Sequence, residues 1–272
     1  MQRTLIMKSK INIYCLTSFL LSFVLLLLRC LALSGFYNSE IGYFTPSLFT
    51  GIKDALYIIS ALWCATVPIL IPKNKIATDF TPNSVWLKGA SAFCAVLFLF
   101  SAVLILRSIT LSKLALIGAI TAAISALFFI LSLFGNELCQ KIRAFTSICL
   151  IASLSVILAT LYFDMTIAMN SPHKLCGGFT LMASMVFALC ETRTYLGKPL
   201  PRLHLTSGLL TFMLGMSFSL SSVIYVLISS PTQFASNPIL LGNIGHIGII
   251  IGISVYAIAR CFAFNDEQKN SK

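Results

Sequence analysis

Charge is what this chain has least of. Asp, Glu, Lys and Arg make up 10% of its 272 residues, and only eight residues are acidic. A soluble domain needs polar surface to cover its apolar core. With 58% hydrophobic residues and a mean hydropathy of +0.94, this sequence does not have it. Histidine occurs three times, at His173, His204 and His246, and the expected topology keeps the three apart, which argues against a histidine zinc site. The nine cysteines form no C-x-x-C pair and lie mostly within apolar runs, so they read as small buried hydrophobes rather than a disulfide or metal framework. No phosphate-binding loop or dinucleotide fingerprint is present, and no soluble part is large enough to hold a nucleotide. No cofactor and no metal are therefore expected, and any energy input must come from a gradient or a partner.

What the chain does have is apolar length. About 170 residues fall into eight runs long enough to cross a bilayer. They cover approximately 11–33, 52–71, 89–106, 111–134, 144–163, 175–190, 205–228 and 239–262. In hydrocarbon every backbone N–H and C=O must be satisfied internally, which only helices and closed barrels achieve. Barrel strands alternate polar and apolar residues, whereas these runs are continuous. The expectation is an all-α, polytopic transmembrane helix bundle of about eight spans, a single unit over residues 1–272 with no sizeable soluble domain. The sixth run is short and can extend through Glu191-Thr192-Arg193. Proline stays at helix ends and loops, apart from Pro68 near the end of the second run, so the interrupted helices of many ion-coupled transporters are not signalled.

The net charge of +11 is distributed as membrane orientation requires, not as nucleic acid requires. With the N-terminus placed in the cytoplasm, 14 of the 19 basic residues fall on the cytoplasmic side; Arg29, Lys53, Arg107, Lys113 and Lys174 are the rest. Eight spans then put both termini inside, in the cell membrane. The first run is too long for a removable signal peptide and lacks its small-residue cleavage site. Membrane lipids are the expected partners, with a small-molecule or protein partner unidentified and no nucleic acid.

Small residues recur at helical spacing in three spans. The fourth has Ala115, Ala119 and Ala123 beside Gly118, Ala122 and Ala126. The seventh has Thr211, Gly215 and Ser219, and the eighth has Gly242, Gly245, Gly248 and Gly252. Lipid offers no hydrophobic drive for helix association, so close backbone approach must supply it. These faces are read as packing seams that make the three helices tightly packed and interior, with a glycine face that admits a ligand or partner helix as the alternative.

Ionisable groups at membrane depth are expensive and are default site hypotheses. Arg29, Lys53 with Asp54, Asp164, and Asn243 with His246 all fall in the outer half under the expected orientation. The candidate ligand or ion-pair set is Arg29, Asp54, Asp164, Asn243 and His246. Arg29 either pairs with Asp164 or Asp54 or binds an anionic ligand, and His246 is a hydrogen-bonding group or proton carrier. The plainer reading has Arg29, Lys53 and Asp164 snorkelling separately to the headgroups and His246 satisfied in the core. On the inner side, Glu191-Thr192-Arg193 reads as a solvated turn touching anionic headgroups, with partner docking as the alternative.

No catalytic residue stands out. Gly215-Met216-Ser217 starts like an intramembrane serine-protease motif, but Phe218 replaces the second glycine; Gly51-Ile52-Lys53-Asp54 has lysine where an aspartyl protease wants glycine. Leu28-Arg29, Glu40-Ile41-Gly42-Tyr43-Phe44 and Leu189-Cys190-Glu191-Thr192-Arg193 together resemble a group of uncharacterised polytopic bacterial membrane proteins of about this size. That resemblance implies a multi-pass architecture and brings no activity with it. Three functional readings follow. The first is a bundle that binds or transports a small molecule or ion through an outer-half polar site. The second is a non-catalytic sensor or assembly subunit that binds protein partners, and the third is a membrane-embedded lipid-modifying enzyme. The balance falls on the non-enzymatic side.

Overall fold

The computed structural model describes residues 2–38, 43–71, 84–107, 113–134, 138–163, 170–229 and 238–266. Its elements are α1 (Gln2–Gly35), β1 (Tyr37–Asn38), β2 (Tyr43–Phe44), α2 (Leu48–Ala65), α3 (Val67–Leu70), α4 (Val85–Arg107), α5 (Lys113–Leu131), α6 (Leu138–Phe163), α7 (Pro172–Tyr195), α8 (Pro201–Ser229) and α9 (Pro238–Asp266). Among the described residues, eight spans, with α2 and α3 forming one of them, are long and apolar enough to cross a membrane. The protein is a multi-pass, all-α membrane bundle.

Local chemistry sets the element ends. Ser47 starts α2 with a capping box: its Oγ accepts from Thr50 N–H, and Thr50 Oγ1 accepts from Ser47 N–H, both at 3.1 Å. The second span breaks before Pro68, which has no N–H to return to the preceding turn. The freed chain is held there by Thr66, whose hydroxyl donates to Trp63 O and lies 2.6 Å from Tyr14 Oη of α1. Ser171 caps α7 by accepting from Lys174 N–H, with Pro172 in the first turn. At its other end α7 runs on through Glu191-Thr192-Arg193 to Tyr195.

Six helices close a ring in the order α4, α5, α6, α7, α8, α9, with α9 packing back on α4. α1 lies outside this ring against α8, and α2 leans on α1 and α8. Eight antiparallel spans put the start of α1 and the end of α9 at one end, called here the terminal end. The small β1–β2 hairpin, pairing Tyr37 with Phe44, marks the opposite end. Toward the terminal end the ring is filled by aromatic side chains. Phe129 stands 4.9 Å from Phe98 and 5.1 Å from Tyr256, and Phe128 packs on Tyr256 and Tyr195. Outward residues of α1 and α2, such as Phe19, Phe23, Ile58 and Leu62, are exposed, as a lipid-facing surface requires.

The small-residue faces are the seams of the ring. Gly118 of α5 sits against Val156 of α6 and Ile105 of α4. Gly215 of α8 meets Ser254 of α9, whose hydroxyl donates to Ile250 O and Thr211 O. Gly245, Gly248 and Gly252 of α9 face Ser101, Leu97 and Phe98 of α4, and Cys94 Sγ lies 2.9 Å from Gly252 O. The surroundings of Gly242 lie outside the described residues. Of these helices, α8 packs on α1, α2, α3, α7 and α9, and α9 is the most buried span. A Cβ at Gly252 would stand 2.9 Å from the Phe98 ring, and one at Gly245 would stand 2.9 Å from Ser101 O. Gly252→Leu should therefore lower stability by about 1–3 kcal/mol through overpacking, while Ile250→Leu, a near-isosteric change, should cost less. Thermal melting of the extracted variants checks this; equal melting of both would place the glycine face away from α4.

Candidate functional site

Arg29 is the largest fully buried side chain of α1, 1% exposed, about 9 Å from the α1 C-terminus at 1.5 Å per residue. It points into the crevice between α1 and α8, which His173 of α7 and Tyr57 of α2 also reach. Its Nη2 lies 3.4 Å from His173 Nδ1 of α7, and its guanidinium sits 4.9 Å over the Phe218 ring of α8. Tyr57 of α2 is in electrostatic contact with it and donates its hydroxyl to Ser217 Oγ of α8 at 3.1 Å. Arginine has no acceptor, so this contact is a hydrogen bond in the tautomer whose Nδ1 carries no proton.

The crevice is cationic. Lys53 stands one helical turn from Tyr57 and is 2% exposed, with its ammonium 4.2 Å over the Phe44 ring of the hairpin. Lys174, next to His173, is fully buried. The one described carboxylate here is Asp54, and it goes to Lys53 at 2.8 Å from an exposed position. Arg29 has no carboxylate partner among the described residues, and its Nε is buried with no hydrogen-bond partner. Tyr37 of β1 completes the hairpin end. Burial, with Tyr225 beside it, pushes its phenol above the ordinary range, while Arg29 pulls the other way. Tyr37 is therefore a neutral hydroxyl at neutral pH, able to donate. A buried guanidinium, an ammonium, phenols and α7's capped N-terminus suit one kind of guest, an anion.

The expected site residues fall in different places. Arg29 and Asp54 border the same crevice, but Asp54 serves Lys53. Asp164 lies outside the described residues. Asn243 is exposed and His246 half-buried on α9, which the ring seats between α4 and α8. Neither makes a hydrogen bond or ion pair with Arg29 among the described residues, and His246 Nε2 is buried without a partner. His173, Tyr57, Ser217 and Phe218 join the crevice without a sequence signal beyond their type. Only the spacing of Lys53 and Tyr57, four apart on one helix, was there to be read.

The solvated turn expected at Glu191-Thr192-Arg193 is corrected by the structure. Because α7 continues to Tyr195, Glu191 and Thr192 turn inward and are buried, and Arg193 alone is exposed. Glu191 Oε1 accepts from Arg260 Nε of α9 at 2.9 Å and lies 3.2 Å from His204 Nε2 of α8. Thr192 Oγ1 is 2.8 Å from Ser147 Oγ of α6. Two more basic residues counted among the cytoplasmic charges do structural work at this end. Arg143, 3% exposed, donates to Leu131 O and Phe134 O at the C-terminus of α5, where a cation meets the helix dipole favourably. Arg202 Nε donates to Ile71 O just after α3.

Comparison with protein-family models, with curated proteins and with solved structures returns no match. Among the described residues no group of three or more His, Cys, Asp or Glu side chains is placed to hold a metal ion. The functional reading rests on the two buried polar clusters.

Proposed function

We propose that this multi-pass membrane protein binds an anionic small molecule in the crevice between α1, α2, α7 and α8. The observation that carries the reading is Arg29: a guanidinium 1% exposed at membrane depth, with no carboxylate partner among the described residues. An ion buried without a counter-charge is destabilising by several kcal/mol. A bound anion supplies the missing charge, with the Arg29 fork as its bidentate contact and Tyr37 and Tyr57 around it. The aromatic filling of the ring at the terminal end favours a ligand held in place over one passing through an open pore.

Positive-inside counting puts this crevice on the outer side of the cell membrane and both termini in the cytoplasm. Single-cysteine labelling in a cysteine-free background tests that half of the proposal. An impermeant reagent should reach position 38 and spare position 198 in intact cells, and the reverse pattern would invert the orientation. Native mass spectrometry of the gently extracted protein tests the binding. The wild type should carry an added anionic mass that Arg29→Leu lacks; a bare wild type, or the same adduct on both, would sink the anion reading.

A further inference from the structure

The terminal end of the ring holds a second buried cluster that the anion reading does not use. Glu191 on α7, His204 on α8 and Arg260 on α9 are each at most 2% exposed. All three lie within membrane-spanning segments. One carboxylate oxygen, Oε1, serves both partners, with Arg260 Nε at 2.9 Å and His204 Nε2 at 3.2 Å. The other oxygen, Oε2, is buried and has no hydrogen-bond partner among the described residues. An orphaned carboxylate oxygen beside an imidazole is an incomplete arrangement, short of one hydrogen.

The charge count fixes the two states the triad can take. Glu191 and Arg260 cancel, so with a neutral imidazole the triad carries no net charge. One added proton, on the imidazole or on Oε2, makes it +1. The groups that face it from neighbouring helices do not supply a second acid. Tyr195 of α7 and Tyr256 of α9 stand beside the carboxylate, and Arg143 of α6 lies over the Tyr195 ring at 5.7 Å. Cys190 of α7 is the next residue, and Cys261 of α9 groups with Cys15 of α1 and Cys64 of α2. No second described carboxylate interacts with Glu191. Acidic and imidazole groups at membrane depth are the material of proton relays. We infer that Glu191, His204 and Arg260 form a binding site for one exchangeable proton, taken from the aqueous phase at the terminal end. The site lies about 6–9 Å inside the ends of α7 and α9, and α7 and α8 continue from it to His173, Ser217 and Phe218 at the anion crevice.

The test uses the full chain in lipid nanodiscs with no anion added. A His173→Gln, His246→Gln double variant leaves His204 as its one histidine, and 15N labelling of that ring reports its protonation. Infrared spectroscopy reads the carboxylic-acid C=O stretch of Glu191, which Glu191→Gln removes. Between about pH 4 and pH 9, a range that brackets carboxyl and imidazole groups, one of the two signals should change reversibly by one proton per chain. If both stay constant across that range, the triad is a fixed ion pair and the inference falls. The same titration of the infrared band on wild type keeps the result readable if the double variant does not fold. Neither readout depends on an anion, so failure of the anion reading leaves this one standing.

Discussion

Replacing Arg29 with leucine should leave the anion-free protein as stable as the wild type, or more stable, and should abolish stabilisation by added anion. The sign is unusual for a fully buried residue and follows from what surrounds it. A buried charge lost from a carboxylate pair strands its partner, and such losses are strongly destabilising, about 3–5 kcal/mol. Arg29 has no such partner among the described residues; its contacts are an imidazole, a phenol and the Phe218 face. Removing it relieves an uncompensated desolvation and gives up only those neutral contacts. Ligand stabilisation follows mass action, reaching about 2.7 kcal/mol at a hundred times the Kd. Melting in inorganic phosphate and in a short-chain phosphatidate, each against chloride, should raise the wild type by several degrees in at least one case and leave Arg29→Leu unmoved. Arg29→Lys should be intermediate, because it keeps the charge and loses the planar fork. An Arg29→Leu protein that melts well below the wild type and still responds to anion would make Arg29 a structural residue.

Glu191→Ala should be the most damaging single substitution at the other end of the bundle, lowering stability by about 3–5 kcal/mol. It strands the Arg260 guanidinium, 2% exposed, among Tyr256, Phe264 and the α8 turn that carries His204. It also unties three helices at once, since Glu191 Oε1 is the shared acceptor of α8 and α9. A double change of Glu191→Met with Arg260→Met should be milder than the two single losses added, because apolar groups of similar volume replace a buried pair at little net cost. His204→Gln should cost less, about 1–2 kcal/mol, the range for one buried hydrogen bond. A double-mutant cycle on extracted protein measures the coupling. Additive losses for Glu191 and Arg260 would mean that the pair does not hold the helices together.

The spans themselves were legible because membrane helices obey a local rule. Lipid satisfies no backbone group, so each crossing must appear as an uninterrupted apolar run of the right length. The glycine row of α9 was legible for a related reason: spacing along one helix fixes which residues share a face, and glycine on that face allows a backbone neighbour. The break at Pro68 was not expected in the run over 52–71, although one missing N–H explains it. Sequence could also mark Arg29 as expensive, since its depth in the first run is a matter of counting. It could not find His173, which is 144 residues away and reaches Arg29 only because α1 lies outside the ring against α8, the ring neighbour of α7. Nor could it see that Asp54 turns to its neighbour Lys53.

Glu191 shows where local reasoning ends. In sequence it stands at the polar end of the shortest run, followed by a basic loop, and a solvated turn is the natural reading. One further turn of α7 changes its direction, and then Arg260 and His204, from helices later in the chain, meet it in the core. Apolar run length along the chain thus determined the number of helices, and residue spacing the faces available for packing. The order of the helices around the ring, and with it the partners of every buried charge, was decided only by tertiary structure. Charge compensation acts across space between helices, and spacing within one helix carries no record of it.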